Sequence, residues 1–343
     1  MHLYPLNFYE VREIQKNLLK YYEEDFSKHA SKEVVPRIMV VWNSIPSQLV
    51  KENIHARLAL SVCLKQRLNE EESQLLFKAY RHIFKLNEVY IMKTLYYKCE
   101  IWFAVVWIIA YCVLASIGDN LSDGIGIQKI ITLPILIVLS AILLLFVRKN
   151  QLLKKYGLCK SEVPASKMLF YTPLLALLTV NLWYGCSMNT SVIETVLYIL
   201  SMFCVGFLEE VIFRGFLFCA MAENGVKSAI IVSSVTFGIG HIVNLINGSG
   251  AELLPNLLQV IYAIAAGFMF MMIFYKTKSL LPCIITHGVF NALSVFSNEA
   301  AITSQRSIIS CLFMVLFSGS YALYITFAIK QKNTDTACTV INI

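Results

Sequence analysis

Eight apolar stretches, each close to the length of a membrane-spanning helix, constrain the fold of this chain more than any other feature. A helix needs roughly 20 consecutive apolar residues to cross a bilayer, and 57% of the 343 residues are hydrophobic while only 15% are charged. The stretches lie at residues 101–118, 130–147, 168–186, 194–222, 227–246, 257–275, 279–298 and 307–329. They predict an all-α fold: a polytopic membrane helix bundle with about eight transmembrane helices.

Charged residues are concentrated before these stretches. Residues 1–100 hold 15 of the 29 Lys and Arg and 12 of the 22 Asp and Glu. We therefore expect a polar, helical N-terminal extension over residues 1–95, a membrane domain over residues 96–332 whose motifs fall within 194–298, and a polar tail over residues 333–343. The net charge of +7 does not indicate a nucleic-acid partner, because the basic residues cluster in loops beside apolar stretches.

The distribution of basic residues predicts the orientation of the chain. Cytoplasmic loops carry an excess of Lys and Arg. The loop between the second and third stretches, the loop after the sixth and the tail all lie on the side of the N-terminus, and they contain Arg148, Lys149, Lys154, Lys155, Lys160, Lys167, Lys276, Lys278, Lys330 and Lys332. We expect an integral protein of the plasma membrane with both termini in the cytoplasm.

Six polar side chains interrupt three of the apolar stretches. An ionisable group at membrane depth costs at least about 2.5–3.5 kcal/mol, so it normally faces the interior of a bundle or a watery cavity. The six residues are Glu209, Glu210, Arg214, His241, His287 and Asn291. We expect them to converge in one polar pocket.

The spacing of these residues suggests a division of roles. Glu210 and Arg214 are four residues apart and can pair on one helix face, which leaves Glu209 free to face the pocket as a general base. His287 and Asn291 have the same spacing, and an imidazole and an amide can donate hydrogen bonds to a developing oxyanion. These are the groups needed for attack of water on an amide bond.

The same residues form three motifs in order: EExxxR at 209–214, FxxxH at 237–241 and HxxxN at 287–291. Together they resemble the CPBP family, the group of CAAX prenyl proteases type 2 and bacteriocin-processing proteases, over about residues 160–300. The resemblance implies a membrane-embedded endopeptidase in which Glu209 activates water and His241 assists it. His287 and Asn291 would stabilise the oxyanion.

Three further residues, Glu210, Arg214 and Phe237, would hold this site together. The resemblance leaves the use of a metal open, although the family is often called metalloprotease. Candidate ligands for a divalent ion such as zinc are Glu209, His241 and His287. The chain contains no HExxH motif, and a mechanism without metal would use the same carboxylate and imidazoles.

A second, shorter resemblance concerns the N-terminal part. Residues 3–10, 25–30 and 42–53 are similar to pieces of the region that follows the ATPase core in a family of prokaryotic AAA-type ATPases. This chain contains no Walker A motif. We expect no nucleotide partner, and either a remnant or a partner-binding module at this position.

The expected partners are the lipid bilayer and a peptide or lipidated protein as substrate. The residues do not distinguish CAAX-box processing after a prenylated cysteine from trimming of a leader, bacteriocin or pheromone peptide. Two other functions stay open. A non-catalytic scaffold or bacteriocin-immunity protein would tolerate Glu209→Gln, and a proton-coupled transporter would use the intramembrane acids and histidines as a relay.

Overall fold

The computed structural model describes residues 17, 20, 21, 24, 25, 28, 34–36, 38, 39, 92–245, 247 and 252–329. Contacts divide the chain into two units, Met1–Thr94 and Leu95–Ile343. Most of the predicted extension at 1–95, including nearly all of the ATPase-like pieces, lies outside the described residues, as does the whole predicted tail at 333–343. These predictions therefore stay predictions.

All regular secondary structure in the described part of the second unit is helical, and an isolated bridge between Cys186 and Ser297 is its one extended pairing. The α-helices in chain order are α1 (Glu100–Ile125), α2 (Thr132–Lys149), α3 (Thr172–Leu178), α4 (Val192–Glu209), α5 (Phe218–Ala222), α6 (Val226–Gly240), α7 (Leu253–Thr277), α8 (Leu281–Leu293) and α9 (Ser304–Ala328). A π-helix, Glu210–Leu217, joins α4 to α5, and short 3₁₀ turns flank α3 and follow α6 and α8. The predicted all-α bundle is confirmed.

Within the part of the chain that the structure describes, seven helical segments are long and apolar enough to cross a membrane: Glu100–Ile125, Thr132–Lys149, Ala165–Leu182, Val192–Ala222, Val226–Leu245, Leu253–Thr277 and Ser304–Ala328. The seventh predicted stretch, at 279–298, forms only the shorter helix Leu281–Phe296. Pro282 lies in the first turn of α8, a position that starts a helix. The 13 residues of α8 extend about 20 Å, less than the roughly 30 Å of the hydrocarbon core.

The third predicted stretch, at 168–186, is a broken helix. Leu169, Phe170 and Tyr171 all have positive φ, and the chain becomes α-helical again only at Thr172, where a proline occupies the first turn of α3. After α3, the Asn181 amide donates a hydrogen bond of 2.7 Å to the carbonyl oxygen of residue 290 in α8. The broken segment therefore holds α8 in place from one side.

Helices α4 and α8 approach each other closely at two glycines. A Cβ atom on Gly206 would lie 2.7 Å from the backbone nitrogen of Gly288. Small residues allow such contact between helix backbones in lipid, where packing rather than the hydrophobic effect drives association. Gly206 precedes Glu209 by less than one turn, and Gly288 follows His287 directly. The crossing of the two helices therefore brings the Glu209 carboxylate close to the His287 imidazole.

We expect Gly206→Ala to lower the thermal stability of the detergent-solubilised protein by about 1–3 kcal/mol, because the added methyl group would push against backbone atoms of α8. Gly319→Ala in α9 is the matched control, since its Cβ would meet nothing within 4 Å. The measurement is Tm from intrinsic fluorescence. Equal Tm values for the two variants would contradict the close crossing.

A buried lysine anchors the loop that follows α2. Lys155 is only 8% exposed, and its Nζ donates hydrogen bonds to both carboxylate oxygens of Glu100, at 2.6 and 2.7 Å, and to the Tyr96 hydroxyl at 3.1 Å. Burial acts to lower the pKa of Lys155, but Glu100 and Tyr96 outweigh it and raise the pKa. The adjacent Tyr156 packs edge-on against Phe216 of the π-helix, with ring centroids 4.8 Å apart. The anchored loop thus supports the π-helix.

Candidate active site

The two predicted glutamates lie where α4 changes into the π-helix. Glu209 is the last residue of α4, and Glu210 is the first of the π-helical segment. The predicted span at 194–222 forms one continuous helical segment, Val192–Ala222, but residues 210–217 of it are π-helical rather than α-helical. The π-helix is a rare conformation that occurs mostly as single turns, often at functional sites, and the apolar pattern of residues 211–217 does not distinguish it from an α-helix.

Glu210 contacts both a cation and an imidazole inside the bundle. Its Oε1 lies 3.2 Å from an Nη atom of Arg214 and 2.8 Å from Nδ1 of His287. Because an ionised carboxylate can only accept, Nδ1 of His287 carries the hydrogen of this bond. The side chains of Glu210 and Arg214 are both fully buried, so each supplies the opposite charge that the other needs away from bulk solvent.

Phe237 lies at the centre of the aromatic contacts around the site. The Arg214 guanidinium is 3.9 Å from the centroid of its ring, an arrangement in which the ring face attracts the cation. The rings of His241 and His287 meet the same phenylalanine edge-on, with centroids at 5.2 and 5.7 Å. Phe237 therefore fixes the positions of three predicted site residues at once.

Glu209 has one occupied and one unoccupied carboxylate oxygen. The Tyr111 hydroxyl donates a hydrogen bond of 2.7 Å to Oε1. Oε2 is 3.5 Å from Nε2 of His287, and it is buried without a hydrogen-bond partner among the residues that the structure describes. A buried acceptor without a partner costs free energy, and here it is directed at a predicted catalytic histidine.

His241 is placed at the end of α6, where the 3₁₀ turn begins. Its Nδ1 lies 3.2 Å from the carbonyl oxygen of Phe237, and its own carbonyl accepts a hydrogen bond of 2.9 Å from the Asn256 amide. Glu209 and His287 both interact electrostatically with its ring. The Asn256 amide ties the turn to α7, the Phe237 carbonyl holds the ring from α6, and the second ring nitrogen, Nε2, stays available for a reacting group.

Three predicted site residues, His241, His287 and Asn291, line a cavity of about 60 Å³. Apolar side chains of α7 and α8 form most of the remaining wall, including Met269 and Phe290. A cavity of about 150 Å³ is needed for a benzene molecule, so this one has room for a small side chain. His287 lines this cavity and also contacts the carboxylates of Glu209 and Glu210, so it connects the cavity with the buried charges.

The candidate metal ligands do not form a metal site as they are arranged. Glu209, His241 and His287 converge, but no group of three or more His, Cys, Asp or Glu side chains in the described part of the chain has an arrangement that could hold a metal ion. The Nδ1 atoms of both imidazoles contact other protein atoms, which leaves only Nε2 of each ring as a possible ligand. The described residues, as they are arranged, therefore do not provide a ligand set that fits the ion.

Tyr111 contacts Glu209, but it is not among the site residues predicted from the sequence. It lies in α1, far from the three motifs in sequence, and is 8% exposed. A hydroxyl in the middle of an apolar helix, one turn after Trp107 and two turns after Phe103, is the signal that could have identified it.

Residues 191–293 match a family model described as type II CAAX prenyl endopeptidase Rce1-like. The matched segment begins at the residue that caps α4 and ends with α8, so it contains all seven predicted site residues but not Tyr111. A search of curated proteins and a search of solved structures gave no match.

The family match and the seven apolar segments together indicate an integral membrane protein. They also confirm the resemblance that the three motifs carry and the prediction of a membrane-embedded protease. Over residues 191–293, the chain therefore carries an Rce1-like domain of the type II CAAX prenyl endopeptidase family.

Proposed function

We propose that this protein is an intramembrane endopeptidase in which Glu209 activates the water that attacks a peptide bond. The observation that carries the proposal is the position of Oε2 of Glu209. This atom is buried, has no hydrogen-bond partner among the described residues, and faces Nε2 of His287 at 3.5 Å. A general base needs an acceptor atom that is free of other hydrogen bonds and can reach the proton of the attacking water.

In the proposed reaction, Oε2 of Glu209 accepts a proton from water as the water oxygen attacks the carbonyl carbon of the scissile bond. The ring of His241, held at the cavity wall, orients this water. Negative charge then develops on the carbonyl oxygen, and donors from His287 and Asn291, one turn apart on α8, stabilise it. Glu209 finally delivers its proton to the leaving amine.

The position of the His287 ring supports its proposed role at the oxyanion. Its Nδ1 lies 2.8 Å from Oε1 of Glu210, and its Nε2 lies 3.5 Å from Oε2 of Glu209. The contact with Glu210 fixes the plane of the ring, so Nε2 faces the place where the proposed base meets the substrate. We propose that Nε2 is the donor to the oxyanion.

We propose a peptide or lipidated protein as substrate, either a CAAX-type protein with a prenylated cysteine or a leader or bacteriocin peptide. The cavity beside His287 has room for a small side chain, and we propose that a prenyl group would lie along the lipid-facing surface of the bundle. We also propose a plasma-membrane protein with both termini in the cytoplasm, on the distribution of loop Lys and Arg residues.

The proposal is tested by peptide cleavage with purified protein in proteoliposomes. The substrate panel contains a farnesylated CAAX peptide, the same peptide with a free cysteine, and a leader-type peptide, with products identified by mass spectrometry. We expect cleavage of at least one peptide, a loss of about 10²–10⁴-fold in His287→Ala and His241→Ala, and no effect of a chelator. Unchanged activity in both variants would contradict the proposal, and loss to a chelator with recovery on zinc addition would contradict its metal-free mechanism.

A further inference from the structure

Helix α1 packs along the π-helix through a stripe of aromatic residues. Phe103, Trp107 and Tyr111 are spaced by four, so they lie on one face. The rings of Phe103 and Trp107 contact Phe216 of the π-helix, with centroids 5.1 and 6.4 Å apart. Tyr111 continues this face by one turn and reaches the carboxylate of Glu209. The packing of this aromatic stripe against the π-helix thus fixes the position of the Tyr111 hydroxyl beside Glu209.

The side-chain rotamer of a glutamate does not by itself fix the orientation of its carboxylate plane. The terminal torsion of Glu is broad and roughly two-fold, so its rotamer leaves the plane of the two oxygens undetermined. In this site the hydrogen bond of 2.7 Å from Tyr111 holds Oε1, and Oε2 is left facing His287. A bond to an ionised acceptor is also stronger than one between neutral groups.

We propose that Tyr111 is a positioning residue for Glu209, and that it acts by holding Oε1 so that Oε2 stays directed at the reacting water. This inference rests on the proposed function of Glu209. It places a functional residue in α1, outside the segment 191–293 that matches the protease family. Tyr111 acts through the carboxylate rather than on the substrate.

The kinetic test compares two variants that each remove one buried hydroxyl. We expect Tyr111→Phe to lower kcat about 10- to 100-fold, with KM changed by less than about twofold because the orientation of the base matters in the transition state. Tyr321→Phe is the matched control, since the Tyr321 hydroxyl donates a bond of 2.8 Å to the backbone of Met168, in the packed core. We expect its kcat to stay unchanged. Equal kcat values for the two variants would overturn the inference.

A second measurement does not require activity. A double-mutant cycle combines Tyr111→Phe with Glu209→Gln and follows Tm in detergent, because such cycles isolate the interaction between two side chains. We expect Tyr111→Phe to lower Tm more in the wild-type background than in the Glu209→Gln background, while Tyr321→Phe has the same effect in both. Additive effects of Tyr111→Phe and Glu209→Gln would overturn the inference.

The two sets of results separate this inference from the proposed function. If wild-type protein and the Glu209→Gln variant cleave the peptide panel equally, the proposed function fails, and the thermal cycle still decides whether Tyr111 holds the carboxylate. If Glu209→Gln is inactive while Tyr111→Phe behaves like Tyr321→Phe in both assays, the proposed function stands and only the inference fails.

Discussion

Replacement of Glu209 by glutamine is expected to lower kcat for peptide cleavage by about 10²–10⁴-fold, with little change in KM. Glutamine has the size of glutamate, and its carbonyl oxygen can still accept a hydrogen bond from Tyr111, although a weaker one than an ionised carboxylate accepts. It cannot accept a proton from water at neutral pH. The substitution therefore removes the proposed base and leaves the packing around it in place.

The control for this prediction is Glu299→Gln, which makes the same chemical change at an exposed residue in the 3₁₀ turn Glu299–Ala301. We expect this variant to cleave at the wild-type rate. Both variants are assayed in proteoliposomes at matched protein density, and Tm shows whether each is folded. Cleavage by Glu209→Gln within about twofold of wild type would contradict general-base catalysis by this residue.

Replacement of Arg214 by methionine is expected to destabilise the protein by about 3–5 kcal/mol and to abolish cleavage, because it leaves the fully buried carboxylate of Glu210 without its cation. Methionine retains apolar packing against Phe237 but lacks the charge. Loss of the guanidinium also removes its contact with the phenylalanine ring, at 3.9 Å. The measurement is thermal unfolding of the detergent-solubilised protein.

The double variant Glu210→Gln with Arg214→Met separates loss of charge balance from loss of packing. Removal of both charges relieves the unpaired carboxylate, so we expect the double variant to be more stable than Arg214→Met alone. We expect it to stay inactive, since His287 loses the ionised acceptor that fixes its Nδ1. A double variant as unstable as the single one would show that the arginine stabilises the bundle through packing alone.

The sequence is sufficient to predict the helical bundle and the convergence of the site because both depend on local patterns. Apolar stretches define helices in a bilayer, and buried charges such as Glu210 and Arg214 must face the interior. The four-residue spacing of that pair also predicts its contact. The spacing does not indicate that His287 would reach the same carboxylate, because this bond depends on the crossing of α4 and α8 at Gly206.

Three features could not be predicted, each for a physical reason. The broken helix before α3 depends on positive φ angles at Leu169, Phe170 and Tyr171, which such residues rarely adopt. The short α8 reflects mainly its early end, because the α-helix stops at Leu293 and a 3₁₀ turn, Ser294–Phe296, follows within the same apolar stretch. The contact of Tyr111 with Glu209 joins residues 98 positions apart, and no spacing rule extends over that distance.

The π-helix between Glu210 and Leu217 constrains the number of residues in this segment as well as their chemistry. A π turn holds about one residue more than an α turn. Deletion of a single residue would therefore let the segment close into α-helical turns without rotating α4 against α5. A deletion between Glu210 and Arg214 would, however, shorten their separation from four residues to three and disturb the buried ion pair.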